Sequence, residues 1–356
     1  MLFKPQKRGM GDNMDLYMAY GILIVILAGS LLLLFVLKNW LLLQKNRIYI
    51  KMLFLLLIAA ASELAWRNFL LVFLQPEAVL EALIRAVVSI CILFLFYQIF
   101  LYDMALTHKM ELKKTGFFRF FYCIFMLVSV LTAVSPFLGG SWFYNKNLHN
   151  YNLWGNFLQI LTLLFCLCAG IYLVIRNKGV LDRKAYYLLL AVHYLLIIDL
   201  NMQLVLNTRN LVSYLALSAV MVLYYYFFHR NGKYISKSSG CFNGEGLREV
   251  LSEKMRYGEA YYCLKISFGG LESGKSACGG EKLAQLQKKA GTALKRYCGR
   301  HNVYHMEDLG YEVMFGSRKK AEYMQKSLGQ GILQYLDIAD KQISVLCNFS
   351  SICSGK

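Results

Sequence analysis

Acidic residues are scarce in this chain: 21 Asp and Glu stand against 39 Lys and Arg, and all charged residues together make 17% of its 356 residues. A soluble domain carries about a quarter charged residues, so a wholly soluble chain is excluded. Proline is scarcer still, at 3, and there is neither an internal repeat nor the paired Gly/Pro-broken helices that mark transporter sites. The 10 cysteines include no CxxC pair and no metal-ligand spacing; they read as thiols of a reducing compartment. What is abundant is apolar: 57% of the residues are hydrophobic, and the mean hydropathy is +0.43.

The excess is unevenly spread. Residues 1–229 hold nine acids and 19 bases, residues 230–356 hold 12 acids and 20 bases. The first stretch therefore reads as membrane and the last as one small soluble domain of ordinary size. A bilayer core needs about 20 consecutive mostly apolar residues per helix. Seven windows qualify, near 16–37, 49–74, 78–102, 117–138, 153–175, 185–206 and 211–229. The first is longer than the apolar part of a signal peptide and no small-residue cleavage pattern follows Leu37, so it is expected to stay.

Lys and Arg in short loops set the orientation. Lys38, Lys45, Arg47 and Lys51 mark the first connection, Lys109, Lys113, Lys114 and Arg119 the third, and Arg176, Lys178, Arg183 and Lys184 the fifth. The second carries Pro76, Glu77 and Glu81, the fourth only Lys146 and the sixth only Arg209. The alternation predicts an N-terminus outside and the last domain in the cytoplasm, behind a basic juxtamembrane linker at 230–238. Lys4, Lys7 and Arg8 oppose this, offset by Asp12 and Asp15. The +18 balance is thus explained by loops beside the spans, without a nucleic-acid partner.

Ionisable groups inside a span cost several kcal/mol unless paired or hydrated, about 2.5 to 3.5 on insertion scales. Glu63 and Arg67, and Glu81 and Arg85, each stand four apart on a helix face; Asp199 is followed by Asn201 and Gln203. All fall in the outer half of the membrane by this topology. They allow two readings: a polar pocket for a small extracytoplasmic ligand, or an ion-pair network that fixes helix packing. His193 reads as a packing residue. The loop from Gly139 to Tyr144 with Trp154 suits an interfacial aromatic belt. Residues 135–155 and 196–218 resemble the seven-helix sensor region that precedes cytoplasmic output domains in many bacterial signalling proteins.

The last third alternates helical and extended patterns. Leu247, Val250, Leu251 and Met255 repeat as a helix; Tyr261 to Phe268 is β-prone; Leu283, Leu286, Ala290 and Leu294 mark a second helix. A hairpin pair, Asn302 to Met306 and Tyr311 to Phe315, a helix near Arg318 to Leu336 and a strand at Ile343 to Phe349 complete an α/β order. Over about residues 235–350 this order and its residues resemble the GGDEF domain of diguanylate cyclases. The resemblance implies a ferredoxin-like, nucleotide-cyclase-like fold over 239–356, shortened because the chain ends where the family continues through another helix and strand. The family's opening motif matches Ser236 to Gly244, with Gly240 and Asn243 kept. Its metal-bearing strand end matches Ser267 to Glu272, with Ser267 and Gly269 in place of two aspartates. Its signature matches Leu309, Gly310, Tyr311, Glu312 and Val313, with Tyr311 at the acidic position.

Joining two GTP molecules needs Mg²⁺ held by hard carboxylate oxygens, and Ser267, Gly269 and Tyr311 supply none. The resemblance therefore implies a catalytically silent output domain, with no cofactor; Mg²⁺ and GTP would enter only if the domain were active. Residues that could still touch a nucleotide are Asn243, Lys275, near the family's guanine-reading asparagine, Glu281, and Arg300, the remnant of the product-binding site whose aspartate is Val303. Gly269 through Ser276 also fits GxxxxGKS. The helix begins only after Gly279 and Gly280, which argues against a phosphate loop. The expected protein is a seven-helix membrane sensor joined to a degenerate GGDEF-like domain, relaying through homodimer contacts or a cytoplasmic partner. An active cyclase or GTP-binding domain, and a transporter or scaffold, are the alternatives.

Overall fold

The computed structural model describes residues 8–37, 41, 43–65, 78–138, 144–145, 150–151, 153–206, 211–229, 231–269, 280–306, 310–336 and 344–350. The chain forms two compact units: residues 1–37 with 44–229, and residues 38–43 with 230–356. The sequence assigned all of 1–229 to the membrane part; contacts put the short loop 38–43 with the C-terminal domain instead.

The first unit is helical: α1 Arg8–Leu37, α2 Gln44–Ala65, α3 Ala78–Leu106, α4 Gly116–Leu138, α5 Leu153–Arg176, α6 Arg183–Leu206 and α7 Leu211–Phe228. A two-residue hairpin, β1 Tyr144–Asn145 with β2 Asn150–Tyr151, precedes α5. Six of these helices are long and apolar enough to cross a membrane, and α7 is a shorter apolar helix over Tyr214–Phe228. Their outward faces are apolar as well. On α4, Phe117, Phe120, Ile124 and Leu127 are exposed at helical spacing while Phe118, Phe121, Phe125 and Val128 are buried. An apolar stripe of that length facing outward on helix after helix is unfavourable in water and suits a lipid bilayer.

Helix α3 is the hub. It packs against α2, α4 and α5, and 67% of its most apolar window is buried against 28–39% for the other five. It also runs past residue 102, where the apolar window closes at Asp103, because Asp103 is buried and partnered rather than solvated. Helix α2 begins five residues before the predicted span, at Gln44, and its predicted outer end at 66–74 lies outside the described residues.

The second unit holds a small mixed sheet with helices: β3 Phe242–Asn243, α8 Gly244–Tyr257, β4 Tyr262–Gly269, α9 Gly280–Cys298, β5 Val303–His305, β6 Gly310–Phe315, α10 Arg318–Leu336 and β7 Ser344–Ser350. The strand order is β3-β5-β6-β4-β7; β3 pairs β5 in parallel and the other pairs are antiparallel. Strand β4 is an interior strand, flanked by β6 and β7, and its Cys263, Leu264, Ile266 and Phe268 are buried while Lys265 is exposed. Leu264, Ile266 and Phe268 join Val313 and Phe315 in one core cluster with Ala290, Leu294 and Leu328 from α9 and α10. Cys263 joins Tyr261, Phe242, Leu247, Val250, Tyr304 and Met314 in a second. Helix α8 starts where the Asn243 side chain accepts from the Gly246 amide at 3.0 Å. It ends at Gly258, whose φ of 65° suits a left-handed cap.

Candidate functional site

The most consequential polar groups lie in the helical unit, at residues the sequence did not rank. Asp103 on α3 and His193 on α6 are both fully buried and meet at 2.9 Å between Oδ2 and Nε2. The other ring nitrogen, Nδ1, is 2.7 Å from the Leu189 carbonyl oxygen. A carbonyl only accepts, so Nδ1 carries a hydrogen. The Asp103–His193 contact then needs its own proton, on the carboxyl or on the ring, and the pair is neutral overall either way. That neutrality is what lets two ionisable groups sit in an apolar bundle.

Helix α5 makes room for them. A Cβ on Gly170 would lie 2.5 Å from Asp103 Oδ2 and 2.6 Å from His193 Nε2, so only glycine lets the three helices meet there. Asp103 Oδ1 and the Tyr224 hydroxyl on α7 are buried with no hydrogen-bond partner among the described residues, and the Asp103 carboxyl acts electrostatically on Tyr224. Buried polar atoms of this kind are few in native structures.

One residue along α3, Tyr102 continues the network. Its hydroxyl is 3.0 Å from His229 Nε2, and His229 Nδ1 is 2.8 Å from Asn46 Oδ1 on the first turn of α2. The amide oxygen of Asn46 accepts from Nδ1–H, which leaves Nε2 to accept from Tyr102. The ring packs against Tyr49, with centroids 4.1 Å apart, and edge-on against Phe35 at 5.3 Å, and these two rings also touch each other. Tyr102 stacks on Tyr224 at 4.7 Å, which links this clamp to the Asp103 side.

The polar residues singled out from the sequence fare differently. Asp199 is buried on α6 and Glu63 half-buried on α2. Arg67 lies outside the described residues, as do the side chains of Glu81, Arg85 and Gln203. Asn201 donates to the Ile197 carbonyl on its own helix at 2.8 Å and faces outward. His193, read from the sequence as a packing residue, is satisfied as that reading expects, but its partner is a carboxyl.

In the second unit, Ser267 on β4 stands directly across from Gly310 on β6, and Ile266 across from Tyr311. Gly269 extends β4 two residues further, paired with Ser344 of β7. Tyr311 is fully buried on the helix-covered face, and its hydroxyl donates to the Gln287 carbonyl of α9 at 2.8 Å. Burial holds that hydroxyl well above the ordinary tyrosine range. Beside it His305 lies 5.1 Å away, ring to ring, and its Nδ1 meets Ser236 Oγ at 3.0 Å. Glu312 is half-buried, on the opposite face from Tyr311 and directly across from Lys265.

Tyr311 is thus a core tyrosine whose hydroxyl is already used, and Ser267 and Gly269 at the neighbouring strand end carry no carboxylate. Asn243 is engaged on both sides, capping α8 and donating to the Lys233 carbonyl at 2.7 Å. Gly240, with φ at 65°, accepts from Lys295 Nζ at 3.1 Å through its carbonyl. Arg300 is exposed in the turn after α9. Lys275 and Leu309, and the side chain of Glu281, lie outside the described residues. No protein-family model matches this chain, and no curated protein matches it, so its function has to be read from its own residues.

Proposed function

We propose that the protein is a membrane signalling receptor whose seven apolar helices sense a state of the membrane or its outer side, and whose cytoplasmic domain is a catalytically silent relative of the GGDEF domain. The observation that carries the reading is the β4–β6 register. It sets Ser267 opposite Gly310 and Ile266 opposite Tyr311 at one end of the sheet, so the two motifs matched separately along the chain become neighbours in space. The order β4-α9-β5-β6-α10-β7, with strands arranged β5-β6-β4-β7, is the split βαβ connectivity of ferredoxin-like domains, and that supports the same relationship.

The domain then acts by contact, through a second copy of the chain or a cytoplasmic partner, and not by phosphoryl chemistry. Tyr311 fills from within the space a metal-binding carboxylate would need. The Asp103–His193 pair is the centre of the sensing unit: it is neutral, shared by α3 and α6, and admitted by Gly170 on α5, so helix movement that separates the two leaves an uncompensated group in apolar surroundings.

Purified full-length protein incubated with Mg²⁺ and GTP should form no cyclic di-GMP, and isothermal calorimetry should register no GTP binding. Turnover of GTP to cyclic di-GMP by the wild-type chain, absent from a Glu312→Ala control, would sink the silent-domain reading.

A further inference from the structure

The C-terminal unit includes the two stretches of chain that join it to the helices, and these leads converge on one apolar cluster. The first is the α1–α2 loop. Leu41 and Leu43, one residue apart in a six-residue connection between two apolar helices, are 0% and 1% exposed inside the cluster of Phe242, Leu247, Val250, Tyr261, Cys263, Tyr304 and Met314. The second is the segment that follows α7, where Tyr234 and Ile235 pack on the same cluster. Gly246 marks where the leads meet: a Cβ there would lie 3.3 Å from Leu41 Cδ2 and 3.5 Å from Tyr234 Cβ.

The helical unit ties the origins of the same two leads together. Asn46 is three residues after Leu43, and His229 is the last residue before the second lead; they share the 2.8 Å hydrogen bond, held from the side by Tyr102. A bond between residues 183 apart in sequence thus fixes two points of chain that each continue within a few residues into a common core. Apolar packing in a core has discrete arrangements and resists continuous deformation, so moving one lead relative to the other cannot leave the cluster unchanged.

We propose that this is the route by which the helical unit controls the domain: the Asn46–His229–Tyr102 clamp sets the separation of the two leads, and Leu41 and Leu43 pass it to the cluster beneath β4. The device needs no nucleotide and no second copy of the chain.

Cys263 reports on it directly, because it is 4% exposed in this cluster while Cys241 and Cys298 belong to the other core cluster. N-ethylmaleimide labelling of each cysteine, followed by peptide mass spectrometry, is measured on the full-length protein in lipid nanodiscs. Asn46→Ala should raise the labelling rate of Cys263 by about fivefold or more, the change that one kcal/mol of local stability produces, with Cys241 and Cys298 unchanged. The effect should vanish when a Gly-Ser-Gly-Ser segment is inserted after Leu43. Should Asn46→Ala also open the buried Cys166 of α5, the helical unit has unfolded and Tyr102→Phe, which removes one hydroxyl, decides in its place. An unaltered Cys263, an equal rise at all three domain cysteines, or an effect that persists with the inserted segment overturns the proposal.

Discussion

At the scale of single residues, the pair Asp103 and His193 shows how burial converts two ordinary side chains into one unit. Each would be costly alone among apolar helices; together they share a proton and stay neutral. Removing one partner is therefore expected to be worse than removing both. Asp103→Ala should destabilise the helical unit by about 3–5 kcal/mol, and adding His193→Ala should cost much less than a second such loss. Unfolding in mixed detergent micelles, run as a double-mutant cycle, measures this; simple additivity would mean that the two residues do not act as a pair. The pair was hard to see in the sequence for a local reason. The apolar window of α3 closes at residue 102, so Asp103 looks like the first residue of a loop, and its partner stands 90 positions away.

At the scale of elements, β4 and β6 carry both the legible and the hidden parts of the domain. Alternation and β-propensity locate both strands, and a turn residue at Gly310 is readable. What periodicity leaves open is that Tyr311 belongs to the helix-covered core and gives its hydroxyl to α9. The same burial produces a pH dependence. Burial, with a smaller contribution from nearby Glu312, pushes the Cys263 thiol up from 9.0 to about 11. The unfolded chain therefore releases this proton first, and the contribution to stability is full below about pH 9 and lost as pH rises towards about 11. The Tyr304 and Tyr311 hydroxyls, held well above the ordinary tyrosine range by burial, act in the same direction. Thermal unfolding of the full chain, followed by circular dichroism of the C-terminal domain, should show its Tm falling between pH 9 and 11, with a shallower fall in Cys263→Ala. A Tm that rises over this window contradicts the burial of these groups.

At the scale of the whole molecule, the basic loops and the apolar stripes make a joint claim about placement. With the last domain in the cytoplasm, the loops holding Lys113 and Lys178 share its side and the loop holding Lys146 does not. A membrane-impermeant maleimide applied to intact cells should label Lys146→Cys and leave Lys178→Cys unlabelled until the cells are broken; the reverse pattern would invert the proposed topology. The loop 38–43 agrees with this sidedness for a separate reason: two of its leucines are part of the same apolar cluster as the C-terminal strands, so loop and domain must share one side of any membrane the helices cross.

Hydropathy, loop charge and strand periodicity are local properties, and the sequence by itself determined what depends on them: a run of apolar helices, expected as seven spans where six are long enough to cross a membrane and the last is shorter, and a small domain of helices and strands after them. The tertiary structure decided what depends on distant partners. It joined Asp103 to His193 and Asn46 to His229, took Tyr311 into the core, and gave Leu41 and Leu43 to the C-terminal domain. A leucine in a basic loop carries no mark of its partner, because an apolar side chain is specified only by the surface that covers it. The shortage of acids with which the chain began is resolved in the same way. Asp103, one of only nine acidic residues in the first 229, is kept where a histidine and a glycine on neighbouring helices make its burial possible.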